Sequence, residues 1–199
     1  MQEINENLLI YLNSLMEHNF IEKIALCFAD APIFFIPLFL IIAWLYYTFN
    51  EKNNDAKKGL LFVFYSAVIA IIINLTIQSF VHLERPETVL EWVGKLLLSH
   101  IPDASFPSDH AWVSMAFLTA LFLAWYRKIW YFFLIPAILM NISRVIVWVH
   151  WPFDIVVWSI IWVSSAFISF KLLSKCKYIN NFNNLILKIM NFIKMYFGF

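Results

Sequence analysis

Charge is scarce in this chain. Only 14% of its 199 residues are Asp, Glu, Lys or Arg, whereas 62% are hydrophobic and 19% aromatic. Soluble domains carry about a quarter charged residues, so the shortage excludes a domain solvated by water on all sides and points to lipid. The apolar surplus equally excludes disorder. Nor does the charge lean one way: Lys and Arg number 14 and Asp and Glu 13, a net +1 that leaves no basic surface for nucleic acid. Cysteine is limited to Cys27 and Cys176, which excludes a disulfide framework and paired metal-ligand spacing; both are expected to be packing residues. No internal repeat or low-complexity linker divides the chain, so residues 1–199 are read as one domain.

What is present is a set of long apolar runs. Crossing about 30 Å of hydrocarbon takes about 20 helical residues, and five stretches qualify, near 29–49, 59–81, 108–127, 129–149 and 152–174. The expected fold is therefore all-α, a polytopic bundle of about five transmembrane helices. In the third, Ser108 or Asp109 after Pro107 can cap the helix and extend it. Pro136 and Asn141 interrupt the fourth, which neighbouring helices can tolerate. Glu3 and Glu6 stand where a signal peptide would be basic, so the first span is expected to remain. The ends, 1–20 and 178–199, are amphipathic and too polar to span. Ile4, Leu8, Leu12, Leu15 and Met16 recur at helical spacing, as do Phe182, Leu185, Ile186, Ile189 and Ile193, which predicts helices lying along a membrane interface. A third such segment, Val89 to Leu98, sits in the long loop.

Ten of the 14 basic residues fall on one side of this layout: Lys52, Lys57, Lys58, Arg127, Lys128 and five lysines after the fifth span. The positive-inside rule then puts the C-terminus in the cytoplasm and the N-terminus outside, as an odd number of spans requires. Trp44, Tyr46, Tyr47, Trp125, Tyr126 and Trp130 would form an inner aromatic belt, and Trp92, Trp112, Trp148 and Trp151 an outer one.

Two of the outward basic residues, Arg85 and Arg144, lie where apolar helices meet the outer surface. An arginine inside a span costs about 2.5–3.5 kcal/mol on insertion scales, so its placement needs a reason. One is snorkelling to headgroups. Another is a site, because His110, His150 and Asp154 collect at the same end. Asp154, four residues after His150 and just past Pro152 at a natural helix start, can reach back to one imidazole nitrogen and leave the other free to attack. His110 lies at the amino end of the third span, where the helix dipole favours an anion, and can donate a proton to a departing oxygen. Guanidinium groups grip phosphate oxygens. A metal held by His, His and Asp is the competing reading, disfavoured by two arginines that would repel a divalent cation. No metal or other cofactor is expected.

The arrangement Arg85-Pro86, then Pro107-Ser108-Asp109-His110, then Ser143-Arg144 with His150 and Asp154 resembles the three-part signature of the type 2 phosphatidic acid phosphatase superfamily over residues 78–154. The resemblance implies a metal-independent phosphatase in which His150 is the nucleophile, Asp154 its orienter, His110 the general acid, and Arg85, Ser108 and Arg144 the phosphate ligands. Gln78 stands where the family usually has lysine, Asp109 where glycine is more common, and Glu87 follows Arg85-Pro86. Phe106-Pro107-Ser108-Asp109-His110 is similar to the branch acting on undecaprenyl pyrophosphate, so Gln78 and Asp109 join the candidate phosphate-binding set. The expected activity is hydrolysis of undecaprenyl pyrophosphate at the outer face of the cytoplasmic membrane, which recycles the cell-wall lipid carrier. Alternatives are another phospholipid substrate (phosphatidylglycerophosphate, phosphatidic acid or lipid A) and, from a different class, a non-hydrolytic lipid-binding protein or transporter. Oligomeric state is left open.

Overall fold

The computed structural model describes residues 2–49, 53–81, 83–90, 109–124 and 126–196. Their regular structure is all helix, with no strand among them. In chain order the helices are α1 (Gln2–Ser14), a 3-10 turn (Leu15–Glu17), α2 (Asn19–Phe49), α3 (Asn54–Gln78), the short α4 (Pro86–Val89), α5 (Asp109–Leu123), α6 (Arg127–Ile146), α7 (Pro152–Lys175) and α8 (Lys177–Tyr196). Three of them, α2, α3 and α6, are long and apolar enough to cross a membrane, and α5 and α7 hold shorter apolar stretches. The chain is a multi-pass membrane protein.

α5 is the helix around which the others assemble, packing on α7, α3, α6 and α2. Its alanines explain why: Ala111, Ala116 and Ala120 are fully buried, and small side chains let neighbouring backbones approach closely where lipid gives no hydrophobic drive. Larger residues then fill the spaces between the alanine contacts. Ile36, Val63, Phe117 and Leu121 form a cluster toward one end, and Ala70, Trp112, Ala116 and Trp162 form another toward the site. The lipid-facing side chains run the other way, with Phe34, Phe35, Ile72, Phe132 and Ile160 all exposed.

The helix boundaries follow local chemistry. Asn53 caps α3, accepting from the amides of Asp55 and Ala56. Pro152 opens α7, where its missing N–H costs nothing. A neighbouring helix caps α7 as well: Asn5 of α1 accepts the Phe153 amide at 3.0 Å. α6 runs unbroken through Pro136 and Asn141. The Asn141 amide is absorbed by the Ala137 carbonyl at 2.8 Å and by the Ser114 hydroxyl at 3.4 Å.

Several expectations change here. α2 begins at Asn19, ten residues before the apolar run suggested, because Phe20, Ile21 and Ile24 continue the helix through a polar stretch. α1 and the 3-10 turn after it are docked rather than simply interfacial: Leu9 packs with Val145 and Trp148, Met16 of the turn with Ala25, Ala29 and Ile146, and Asn13 donates to the Ile146 carbonyl at 2.8 Å. α8 keeps the expected apolar face, with Phe182, Leu185 and Ile189 exposed, and fastens to the bundle through Asn183, which accepts from Tyr65 at 2.8 Å. Trp112 and Trp148 do not belong to an outer belt. Both are buried, Trp112 against Trp162 with ring centroids 3.8 Å apart. Cys27 is exposed on the flank of α2 instead of packed, and both cysteines are free. Trp92 and Trp125, with most of the 89–98 segment, lie outside the described residues.

Candidate active site

α6 ends at the site, and the manner of its ending sets the site's geometry. Val147 is the C-cap; the Trp148 amide bonds back to the Val145 carbonyl at 3.0 Å and the Val149 amide to the Arg144 carbonyl at 3.1 Å. This is the Schellman pattern, which needs a left-handed residue just past the cap. Glycine usually serves, but here it is Trp148, with φ 71°. The reversal returns the chain over Arg144, so that the His150 amide also points to the Arg144 carbonyl, at 3.3 Å. The six-residue spacing of Arg144 and His150 thereby becomes a direct contact: Arg144 Nη2 lies 3.1 Å from His150 Nε2. A guanidinium only donates, so as a hydrogen bond this contact puts the lone pair on Nε2 and the hydrogen on Nδ1.

Arg144 is 2% exposed, so it does not snorkel to headgroups. Its other face meets Asp30 of α2, Nη1 to Oδ1 at 2.6 Å, and the same Oδ1 is 3.1 Å from His110 Nε2. Four residues from α2, α5, α6 and the turn before α7 are thus joined in one line, His110, Asp30, Arg144, His150, with one carboxylate oxygen and one guanidinium between the imidazoles. His110 is the second residue of α5, where helix-end amides and the dipole favour negative charge.

The remaining members approach from the 83–90 segment and α7. Arg85 is buried and reaches the Val149 carbonyl at 3.5 Å, while the Trp151 indole donates to the Glu84 carbonyl at 3.0 Å. These two contacts pin that segment against the turn carrying His150. Asp154 is buried in the first turn of α7 and borders a cleft of about 480 Å3 between Gln2, Asn5, Glu84 and Trp151. Gln78 is the last residue of α3 and half-buried. Ser108 and the Asp109 side chain lie outside the described residues. Among the described residues no group of three or more His, Cys, Asp and Glu side chains is arranged to hold a metal ion.

Asp30 is the member that the motif reading missed. The signal was there in the form of a single carboxylate within an apolar run, a placement in a membrane helix that calls for a partner.

A buried arginine between two histidines, carried on a multi-pass helical bundle, is an arrangement suited to phosphoryl transfer at a membrane. Residues 59–178 match the PAP2 superfamily, more than half of the chain, and the protein belongs to that superfamily; it is a lipid phosphatase. Two curated relatives are similar over most of their length. The bacitracin transport permease protein BcrC of Bacillus licheniformis is 29% identical over 190 residues, 94% of this chain and 89% of that one. The undecaprenyl-diphosphatase BcrC of Bacillus subtilis (strain 168) is 27% identical over 161 residues, 80% and 79% of the two chains. Among solved structures, Aquifex aeolicus LpxE superposes with a TM-score of 0.62 at 24% identity, covering 84% of this chain and 95% of that chain, a likeness of fold.

Proposed function

We propose that this single-domain phosphatase hydrolyses undecaprenyl pyrophosphate to undecaprenyl phosphate at the outer face of the cytoplasmic membrane. The observation that carries the reading is the contact of Arg144 with His150 Nε2 at 3.1 Å, which sets a lone pair beside a phosphate-gripping guanidinium. The substrate class is supported by the relative named an undecaprenyl-diphosphatase. An apolar groove of about 400 Å3 between α2 and α6, lined by Phe28, Phe35, Phe39, Phe132 and Phe133, is further support, since it suits a hydrocarbon tail.

The reaction is two in-line displacements. His150 Nε2 attacks the outer phosphorus, and the bridging P–O bond breaks as His110 protonates the departing oxygen. Arg144 and Arg85, with Ser108, Gln78 and the backbone amide of Asp109 as further candidate ligands, hold the charge that spreads over the phosphoryl oxygens. Asp154 stabilises the imidazolium character that develops on His150. Water, deprotonated by His110, then cleaves the N–P bond and releases phosphate. The N-terminus lies outside and the C-terminus inside, which places this end of the bundle on the extracytoplasmic side.

The test is a side-by-side assay of purified protein on undecaprenyl pyrophosphate, phosphatidylglycerophosphate and lipid A, with released phosphate as readout. Undecaprenyl pyrophosphate is the expected best substrate; a preference for either of the others reassigns the substrate. His150→Ala should abolish release and the acid-labile phosphoenzyme together, and EDTA should leave the rate unchanged. The permease name of the B. licheniformis relative favours one second reading, a binder or transporter of phosphorylated lipid. Binding of lipid without any phosphate release by the wild type would select it.

A further inference from the structure

A phosphoryl pocket should contain donors waiting for an anion, yet in this cluster an anion is already there. Asp30 Oδ1 sits 2.6 Å from Arg144 Nη1 and 3.1 Å from His110 Nε2, within reach of the guanidinium that is to hold the phosphoryl oxygens and the imidazole that is to protonate the leaving group. A carboxylate oxygen bridging an arginine and a histidine has the charge, size and acceptor character of a phosphate oxygen.

We propose that Asp30 is an internal stand-in for substrate phosphate: its carboxylate occupies the anion seat between His110 and Arg144 when no substrate is bound and is displaced when a phosphoryl group enters. The inference rests on the reading of this cluster as a phosphoryl pocket and adds a residue that competes with the ligand for it.

Three features fit that role better than a permanent structural ion pair. First, the exposure is lopsided. Arg144 is 2% exposed and Asp30 37%, so the carboxylate is the member on the open side, free to turn outward while the guanidinium stays. Second, Asp30 lies two residues before Pro32, which cannot donate to the Phe28 carbonyl, so the helical turn bearing the carboxylate is held by one backbone bond fewer. Third, two anions cannot share one guanidinium edge and one imidazole hydrogen without repulsion in a partly desolvated site. Phosphate entry therefore requires the carboxylate to leave.

The consequence for turnover is concrete. Before substrate binds, the carboxylate keeps a negative charge beside a buried cation, and after hydrolysis its return disfavours retention of product phosphate. Neutralising it should make the pocket hold tetrahedral anions more tightly and release them more slowly.

The experiment compares wild type, Asp30→Asn and Asp30→Glu in detergent, with tungstate as a tetrahedral dianion and steady-state hydrolysis as second readout. Asp30→Asn should bind tungstate on the order of tenfold more tightly, with KM and kcat both lowered. Asp30→Glu keeps the charge and should return both toward wild-type values. Unchanged or weaker tungstate inhibition in Asp30→Asn, or a raised KM, overturns the stand-in role and makes Asp30 a structural partner of Arg144. If tungstate inhibits neither wild type nor variant, the phosphoryl-pocket reading itself fails. A wild-type measurement serves even where Asp30→Asn does not fold: labelling of Asp30 by a hydrophobic carbodiimide, followed by mass spectrometry, should accelerate when tungstate is added. No change, or protection, overturns the proposal.

Discussion

Trp148 is the residue whose backbone and side chain pull in opposite directions. Its φ of 71° costs a bulky residue about 1–2 kcal/mol, which glycine would not incur. Its ring, however, is 1% exposed and packs with Leu9 and Val145, and loss of such a side chain costs about 3–5 kcal/mol. The packing term is larger, which is why a tryptophan can stand where a glycine would be easier. Trp148→Gly should therefore lower stability by about 2–3 kcal/mol, and Trp148→Ala by more, because alanine loses the packing without relieving the strain. Thermal unfolding in detergent would show the order of the two variants. Nothing in the local sequence announces this turn, since no glycine or asparagine follows α6, whereas Arg144, His150 and Asp154 were legible because their spacing lies within a turn or two of one another. His110→Ala should leave folding intact and slow phosphate release by about 10²–10⁴-fold, the usual contribution of a general acid, measured at saturating substrate.

At the scale of elements, α1 shows how a marginal helix becomes part of a site. Thirteen residues are too few for a stable isolated helix in water, so α1 depends on what it docks against. Leu9 is fully buried beneath it, and Asn5 and Asn13 bond α7 and α6 from either side. Leu9→Ala should loosen this docking by about 2–4 kcal/mol. Amide hydrogen exchange would detect it as faster exchange over residues 2–17 with α5 unaffected. The amphipathic spacing of residues 4–16 identified the helix but not its partner. A periodic apolar stripe fits a lipid surface and a protein groove equally well, and here the groove takes Leu9 and Met16 while Ile4 and Leu8 remain exposed. The same ambiguity explains the misplaced tryptophans, since Trp112 and Trp148 suit a headgroup belt by position and the core by size.

For the whole molecule, the testable matter is which side of the membrane each end faces. Cys176 lies between α7 and α8 at the end proposed as cytoplasmic. With Cys27 replaced by serine, an impermeant maleimide should label Cys176 in inverted vesicles and not in intact cells. The opposite result would reverse the topology and carry the site to the cytoplasmic face. The all-α membrane architecture and the superfamily were determined by the sequence itself, because apolar runs of membrane length and short motifs are local properties of a chain, and Arg85, His110, Arg144, His150 and Asp154 were read as candidate site residues from those same motifs. The pairing of Asp30 with Arg144 and the left-handed turn at Trp148 were decided only in three dimensions. Asp30 is 114 residues from Arg144, and no periodicity relates them; they meet because α2 packs on α6 and α5 around a core of alanines. Local patterns record what a segment buries, while the charge that answers a buried arginine is a matter of which helices come together.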